Sequence, residues 1–225
     1  MTTRTNIVVI DHRAANIHSV AKALARFGVE PCVSNSAADL ARADGAVLPG
    51  VGAIDAAMRN LERLGLVEPI REFVASGRPL LGVCLGMQLL FPRSEEGDLP
   101  GLGLVDGAVV RFADDVPDPT GQGRLKVPHM GWNSVNFTDA ARKHPVFQRV
   151  PQGSYFYFVH SYYCRPARDA DIAATTGYGI DFCSAVIKGE IVATQFHPEK
   201  SGVVGLRIYE NFVKYVGERS TARSH

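Results

Sequence analysis

The pentapeptide Gly82-Val83-Cys84-Leu85-Gly86 follows the apolar run Pro79-Leu80-Leu81 and leads into Met87-Gln88-Leu89-Leu90-Phe91. A buried strand that breaks at once into a helix, with glycine on both sides of one residue, leaves few folds open. A turn that sharp has no room for Cβ atoms beside the central residue, which is why glycines flank it. The pattern is the G-x-C-x-G form of a nucleophile elbow, with cysteine where a hydrolase carries serine. At the helix N-terminus, free N–H groups and the helix dipole favour the thiolate of Cys84. The N–H of Leu85 is then placed to donate to a developing oxyanion. The plainer reading is a cysteine that only packs in a Gly-rich turn.

The elbow needs a parallel sheet around it, and the first half of the chain supplies one. Asn6 to Asp11, Val29 to Val33, Gly45 to Leu48 (stopped by Pro49-Gly50) and Pro79 to Val83 read as short buried strands. Between them, Asn16 to Phe27 sets Ile17, Val20, Ala21, Leu24 and Phe27 on one helical face. A second helix carries Ile54, Met58 and Leu61, and a third ends near Ser76-Gly77. Such alternation predicts an α/β fold, a doubly wound and mostly parallel sheet flanked by helices.

The second half adds strands in an antiparallel region: a hairpin over Leu102 to Phe112, then Ser154 to Val159, Ala173 to Tyr178, Asp181 to Lys188 and Ile191 to Gln195. Arg111 to Arg124 reads as a long surface loop, and Val204 to Val216 as a last helix with apolar residues every fourth position. No repeat or composition break interrupts the chain. It reads as one domain over residues 1–217, followed by a polar, frayed tail at 218–225.

The 225 residues are enough for one sizeable core. A formal net charge of +1 argues against a dedicated nucleic-acid binder, which would show a basic excess. No stretch approaches the roughly 18 apolar residues of a membrane span, and the polar start lacks a secretory h-region. Cys32, Cys84, Cys164 and Cys183 fit no metal-ligand spacing. The expectation is a reduced, cytoplasmic protein without metal or cofactor, in which all the cysteines but Cys84 pack.

Two more motifs fall at predicted strand ends. In Gln195-Phe196-His197-Pro198-Glu199, the proline keeps His197 out of the helical region. Extended backbone would project His197 and Glu199 to one side, a carboxylate fixing a basic histidine. His-Pro-Glu alone is weak; at the sheet edge that would carry Cys84 it completes a Cys, His, Glu triad. Pro49-Gly50-Val51-Gly52 lies at the same edge, where flanking glycines let a peptide N–H turn toward a reacting carbonyl.

Together these residues resemble the class I glutamine amidotransferases, with their G-x-C-x-G elbow and late His-Pro-Glu, from Ile7 to about Tyr215. The resemblance implies a γ-glutamyl thioester on Cys84, release of ammonia and hydrolysis to glutamate. It implies an oxyanion hole from Val51, Gly52 and Leu85, with Gln88, Ser161 and Tyr162 binding glutamine. Within the family, four stretches are similar to the glutaminase subunits of imidazole glycerol phosphate synthase. They are Pro49 to Ala53, Val127-Pro128-His129-Met130-Gly131-Trp132-Asn133, Tyr157 to Tyr162, and His197 to Ser201. That branch implies a (β/α)8-barrel cyclase partner that receives the ammonia, with Trp132, Tyr157 and Lys200 at the interface.

The chain departs from the branch at Asp11-His12-Arg13-Ala14-Ala15-Asn16, where Arg13 and Ala15 stand in positions usually held by glycine. Trp132, in an apparent loop, and Tyr157, between Phe156 and Phe158, could equally be packing residues. His160 reads as structural or interfacial, and His129 is ambiguous. Rival functions are the glutaminase of another synthase (anthranilate, pyridoxal phosphate or guanylate), a cysteine hydrolase on a similar sheet, or a non-catalytic binding protein.

Overall fold

The computed structural model describes residues 5–13, 16–117 and 123–223. The first half contains β1 (Ile7–Ile10), α1 (Ile17–Ala25), β2 (Cys32–Ser34), α2 (Ala37–Arg42), β3 (Gly45–Gly50), α3 (Ile54–Arg63), α4 (Val67–Ala75), β4 (Leu80–Cys84) and the short α5 (Leu85–Gln88). The second contains β5 (Gly107–Arg111), β6 (His129–Ser134), β7 (Asn136–Phe137), α6 (Asp139–Lys143), β8 (Tyr155–His160), β9 (Tyr162–Pro166), β10 (Ile172–Gly177), β11 (Asp181–Lys188), β12 (Ile191–Thr194) and α7 (Gly202–Arg223).

The main sheet runs β2-β1-β3-β4-β12-β11-β10-β7. From β2 to β12 neighbours are parallel, and from β12 to β7 they are antiparallel. The expected doubly wound sheet with an antiparallel extension is therefore present. Strand alternation divides its core. Ile7, Val9, Val47, Leu81 and Val83 face one cluster with Val20 and Leu24 of α1 and Ile208, Phe212 and Val216 of α7. Val8, Ile10, Ala46, Leu48 and Leu80 face the other, with α3 and α4 supplying Ile54, Met58, Leu61, Ile70 and Phe73. Both faces of the parallel strands are buried, which explains why they read as continuous apolar runs.

Several local expectations are corrected. Leu102 to Phe112 is not a hairpin: β5 pairs with β9, far along the chain, while Leu102 and Val105 pack as buried loop residues. β3 continues through Pro49-Gly50. Its pairing with β1 ends at Val47, so Pro49 occupies a free edge on that side, where its missing N–H does no harm. The helix α2 has no counterpart in the sequence reading, and β2 starts three residues later than expected. Trp132 lies in a strand, not a loop, because β6 pairs with β8 as a separate ribbon.

The segment read as a frayed tail continues α7 to Arg223. Ser220 Oγ donates to Asp44, and the Arg223 guanidinium donates to the carbonyls of Gly77 and Asp44. These contacts hold the last turns against the sheet end. Of the expected loop from Arg111 to Arg124, residues 118–122 lie outside the described residues, as does Ala15. Arg13 is described, and it adopts φ +64°, the left-handed backbone that glycine would take. Its N–H is capped by Asp11 Oδ1 at 2.8 Å.

Candidate active site

Three adjacent parallel strands deliver the three motifs to one sheet edge. In register, Gly50 of β3 lies beside Cys84 of β4, and Val83 beside Thr194 of β12. The chain after β3 is the Val51-Gly52 loop, and the chain after β12 is Gln195 to Glu199. A pocket opens there, lined by Val51, Gly52, Cys84, Leu85, Gln88, Glu96, Ser161, Tyr162 and His197 among others.

Cys84 has φ +56° and ψ −112°, a backbone that residues with a Cβ rarely adopt. The fold over-determines it. A Cβ on Gly86 would run into the carbonyl oxygen of Leu48, and one on Gly82 would come within 2.9 Å of the Ala193 methyl. The elbow glycines are thus needed for strand and helix packing on both sides of the cysteine. Inside the protein, Gln195 Nε2 approaches Cys84 Sγ at 3.9 Å.

His197 has φ −99° and ψ 95°, the extended backbone that Pro198 enforces. Its Nδ1 lies 2.8 Å from Glu199 Oε1, and both side chains are buried. The pairing is not made by extended backbone, as the spacing suggested. Pro198–Lys200 forms a turn of 3-10 helix that brings the carboxylate back to Nδ1. The second oxygen, Oε2, accepts a long hydrogen bond of 3.4 Å from the Tyr209 hydroxyl on α7.

Burial alone would lower the pKa of His197, but Cys84 and Glu199, acting on the two ring nitrogens, outweigh it and push the ring up to about 10. Nε2 has no partner in strict hydrogen-bond geometry. Cys84 therefore acts on the ring from close by without closing a hydrogen bond to it. Such a pair is suited to nucleophilic attack followed by proton donation from the imidazolium. Burial instead pushes the thiol of Cys183 up to about 12 and that of Cys164 further up. Both are inert packing residues.

The two glycines that flank Val51 have different reasons. Gly52 has φ +88° in open space, whereas a Cβ on Gly50 would meet the Leu85 Cβ at 2.9 Å. Only the Val51–Gly52 side of the loop is therefore free to rotate at low cost. The carbonyl of Pro49, just upstream, is held at 2.7 Å by Nε2 of the buried His12, whose pKa burial lowers.

Gln88 spends both amide hydrogens inside the protein, on the Tyr162 carbonyl at 3.0 Å and on Gln195 Oε1 at 3.1 Å. Its Oε1 is left as the acceptor that lines the pocket. The carbonyl of Ser161 is occupied by the N–H of Phe112. Glu96, absent from the sequence reading, also lines the pocket, and its Oε2 accepts the N–H of Ile54 at 3.0 Å. Burial raises its pKa, with Asp55 adding to the effect and the Ile54 N–H opposing it. The acidic run Glu95-Glu96 soon after the elbow helix was the signal for it.

Trp132, Tyr157 and Lys200 come together outside the pocket. Trp132 pairs with Tyr157 across the ribbon, their rings 6.3 Å apart edge to face. Lys200 Nζ lies 5.7 Å from the Tyr157 ring centre. Met130, Trp132 and Tyr155 are exposed on this face, while Phe156, Phe158 and His160 alternate with them into the core. Among the described residues no group of three His, Cys, Asp or Glu could hold a metal ion, and no helix is long and apolar enough to cross a membrane.

This geometry agrees with the comparisons to known proteins. The family model for glutamine amidotransferase class-I matches residues 8–215. The chain belongs to the class-I glutamine amidotransferases. Relatives named "Imidazole glycerol phosphate synthase subunit HisH" include one from Syntrophotalea carbinolica, 50% identical over 92% of this chain and 98% of its own. Another, from Geobacter sulfurreducens, is 47% identical over 92% and 98%. A third, from Acinetobacter baylyi, is 45% identical over 94% and 98%. At those identities, this amidotransferase falls in the HisH branch.

Solved structures share the amidotransferase fold. A glutamine amidotransferase superposes with TM-score 0.70 at 19% identity, covering 94% of this chain and 98% of that one. PurLQS from Thermotoga maritima gives TM-score 0.67 at 15% identity, covering 95% and 99%.

Proposed function

We propose that the chain is the glutaminase subunit of an imidazole glycerol phosphate synthase, working in the cytoplasm in histidine biosynthesis, with residues 1–217 as one amidotransferase domain. The observation that carries the reading is the Cys84–His197–Glu199 constellation on neighbouring parallel strands, in a chain at 45–50% identity to the HisH relatives named above.

Glutamine enters with its side-chain amide over Cys84. Glu96 and Gln88 Oε1 provide the negative charge and the acceptor suited to an α-ammonium group. Cys84 Sγ attacks the amide carbon, forming the C–S bond and moving the C=O π electrons onto oxygen. The N–H of Leu85 and an N–H of the Val51–Gly52 loop receive that charge. The imidazolium of His197 gives its proton to the amide nitrogen as the C–N bond breaks and ammonia leaves. Glu199 keeps Nδ1 protonated, so Nε2 serves as donor here and as base next. Water, deprotonated by His197, then attacks the γ-glutamyl thioester, expelling the Cys84 thiolate and glutamate.

The ammonia passes to a (β/α)8-barrel cyclase, which uses it to convert a phosphoribulosyl-formimino ribonucleotide into imidazole glycerol phosphate and aminoimidazole carboxamide ribotide. The outer face with Trp132, Tyr157 and Lys200 is suited to that docking, being aromatic, exposed and contiguous with the pocket through Val159.

Replacing Cys84 by Ala tests the assignment in the complex. Glutamine-dependent synthesis is expected to vanish while synthesis from added ammonium salt persists. Retention of glutamine-dependent synthesis by Cys84→Ala would overturn the assigned nucleophile.

A further inference from the structure

His129 of β6 and His160 of β8 stand opposite each other in the ribbon, on the face turned away from Trp132, and both are buried. Neither takes part in the chemistry above, and burying two imidazoles together needs a reason. Their hydrogen bonds give one. His160 Nδ1 lies 2.7 Å from the carbonyl oxygen of Tyr162, which can only accept, so Nδ1 carries the proton. In a neutral ring Nε2 is then an acceptor, and it faces His129 Nδ1 at 3.1 Å. His129 Nδ1 must therefore be the donor, which leaves its Nε2 to accept from Asn133 Nδ2 at 3.3 Å.

Asn133 fits this order. Its amide nitrogen also donates to the Gly177 carbonyl at 2.9 Å, while its oxygen accepts the N–H of Ser134 at 2.8 Å. Burial keeps both rings neutral, lowering His129 to about 4 and His160 to about 3. One proton arrangement satisfies the whole chain. His129 is further fixed by stacking on Phe158 at 4.9 Å and on Tyr178 at 4.0 Å.

The chain ends where glutamine would bind. The Tyr162 carbonyl that receives His160 Nδ1–H also receives Gln88 Nε2–H. The other hydrogen of Gln88 goes to Gln195, whose own amide approaches Cys84 Sγ. We propose that His129 and His160 are positioning residues: locked as Nδ1–H tautomers, they fix the Tyr162 carbonyl and thereby aim Gln88 into the glutamine site. The role rests on the glutaminase reading above, since Gln88 has a substrate to meet only there. Asn133 begins the chain next to Trp132, so the strand that presents the docking face also anchors the substrate pocket.

Two measurements on the chain in complex with the cyclase barrel test this. In 15N-histidine-labelled wild type, two-bond proton–nitrogen correlations are expected to show both rings as Nδ1–H tautomers; an Nε2–H tautomer at either ring overturns the lock. For kinetics, His160→Leu removes the donor, whereas His160→Asn places an amide N–H near the former Nδ1. His160→Leu is expected to raise KM for glutamine roughly tenfold with kcat within about twofold, and His160→Asn to recover most of that loss. Unchanged KM in His160→Leu, or equal impairment of both variants, would overturn the positioning role. Wild type that hydrolyses no glutamine in the complex would instead defeat the functional reading and the positioning role with it, leaving the tautomers to be read separately.

Discussion

The backbone N–H of His197 donates to the carbonyl of Tyr157 at 3.0 Å, tying the segment after β12 to the ribbon that carries Trp132. Ser201 closes the link from the other side. Its Oγ donates to the His197 carbonyl at 2.6 Å and accepts the Tyr157 N–H at 3.0 Å. A shift of β8 must therefore move His197 or break buried hydrogen bonds.

Ser201→Ala removes the hydroxyl, leaving the Tyr157 N–H short of an acceptor and the His197 carbonyl with only the Lys200 N–H, at 3.1 Å. The expected stability loss is about 1–3 kcal/mol, read by urea denaturation. Glutamine hydrolysis in the complex should fall in kcat more than it rises in KM, because the histidine is misplaced while the glutamine contacts remain. A Ser201→Ala chain with wild-type kcat would sever the link between ribbon and base.

Glu96→Gln keeps an acceptor for the Ile54 N–H but removes the charge offered to an α-ammonium. KM for glutamine should rise by roughly one to two orders of magnitude, with kcat little changed. Steady-state kinetics in the complex reads this. A loss confined to kcat would take Glu96 away from substrate binding.

Gly52→Ala isolates the conformation of the Val51–Gly52 loop, since a Cβ there meets nothing within 4 Å but must adopt φ +88°. The strain is about 1–2 kcal/mol, and the loop relaxes it by turning its peptide. The expected result is a lowered kcat with near-normal thermal stability and glutamine KM. Full activity in this variant would move the second oxyanion donor elsewhere.

The raised pKa of His197 gives a stability signature. The folded chain holds this proton more tightly than the unfolded chain, whose histidine titrates near 6.5. The stabilisation is therefore complete below about 6.5 and is lost as pH rises through about 10. The difference in unfolding free energy between wild type and His197→Asn should shrink from about pH 6 to about pH 10.5. A difference constant across that window would contradict a charged His197 in the resting protein.

Much of the site was legible because its constraints are local. The glycines beside Cys84 report a steric requirement of the elbow, and Pro198 reports the backbone of its neighbour. What escaped depends on partners distant in sequence. β5 finds β9 across more than fifty residues, so Asp106-Gly107 suggested a hairpin that does not exist. β6 was read as a loop because Gly131 and the alternation of exposed Met130 and Trp132 only make sense once β8 lies beside it. Gln195 reads as the end of a strand, and Tyr209 falls outside the every-fourth-residue apolar pattern of the last helix. Their roles appear only when Cys84 and Glu199 are brought to them.

The central claim is that this chain releases ammonia from glutamine in service of a cyclase barrel. Glutamate release by the purified chain, alone and with the barrel and its nucleotide ligand, tests it most directly. The account predicts low basal turnover that rises strongly with the liganded barrel. Hydrolysis indifferent to the barrel would contradict the partner, and no hydrolysis in either state would contradict the chemistry assigned to Cys84.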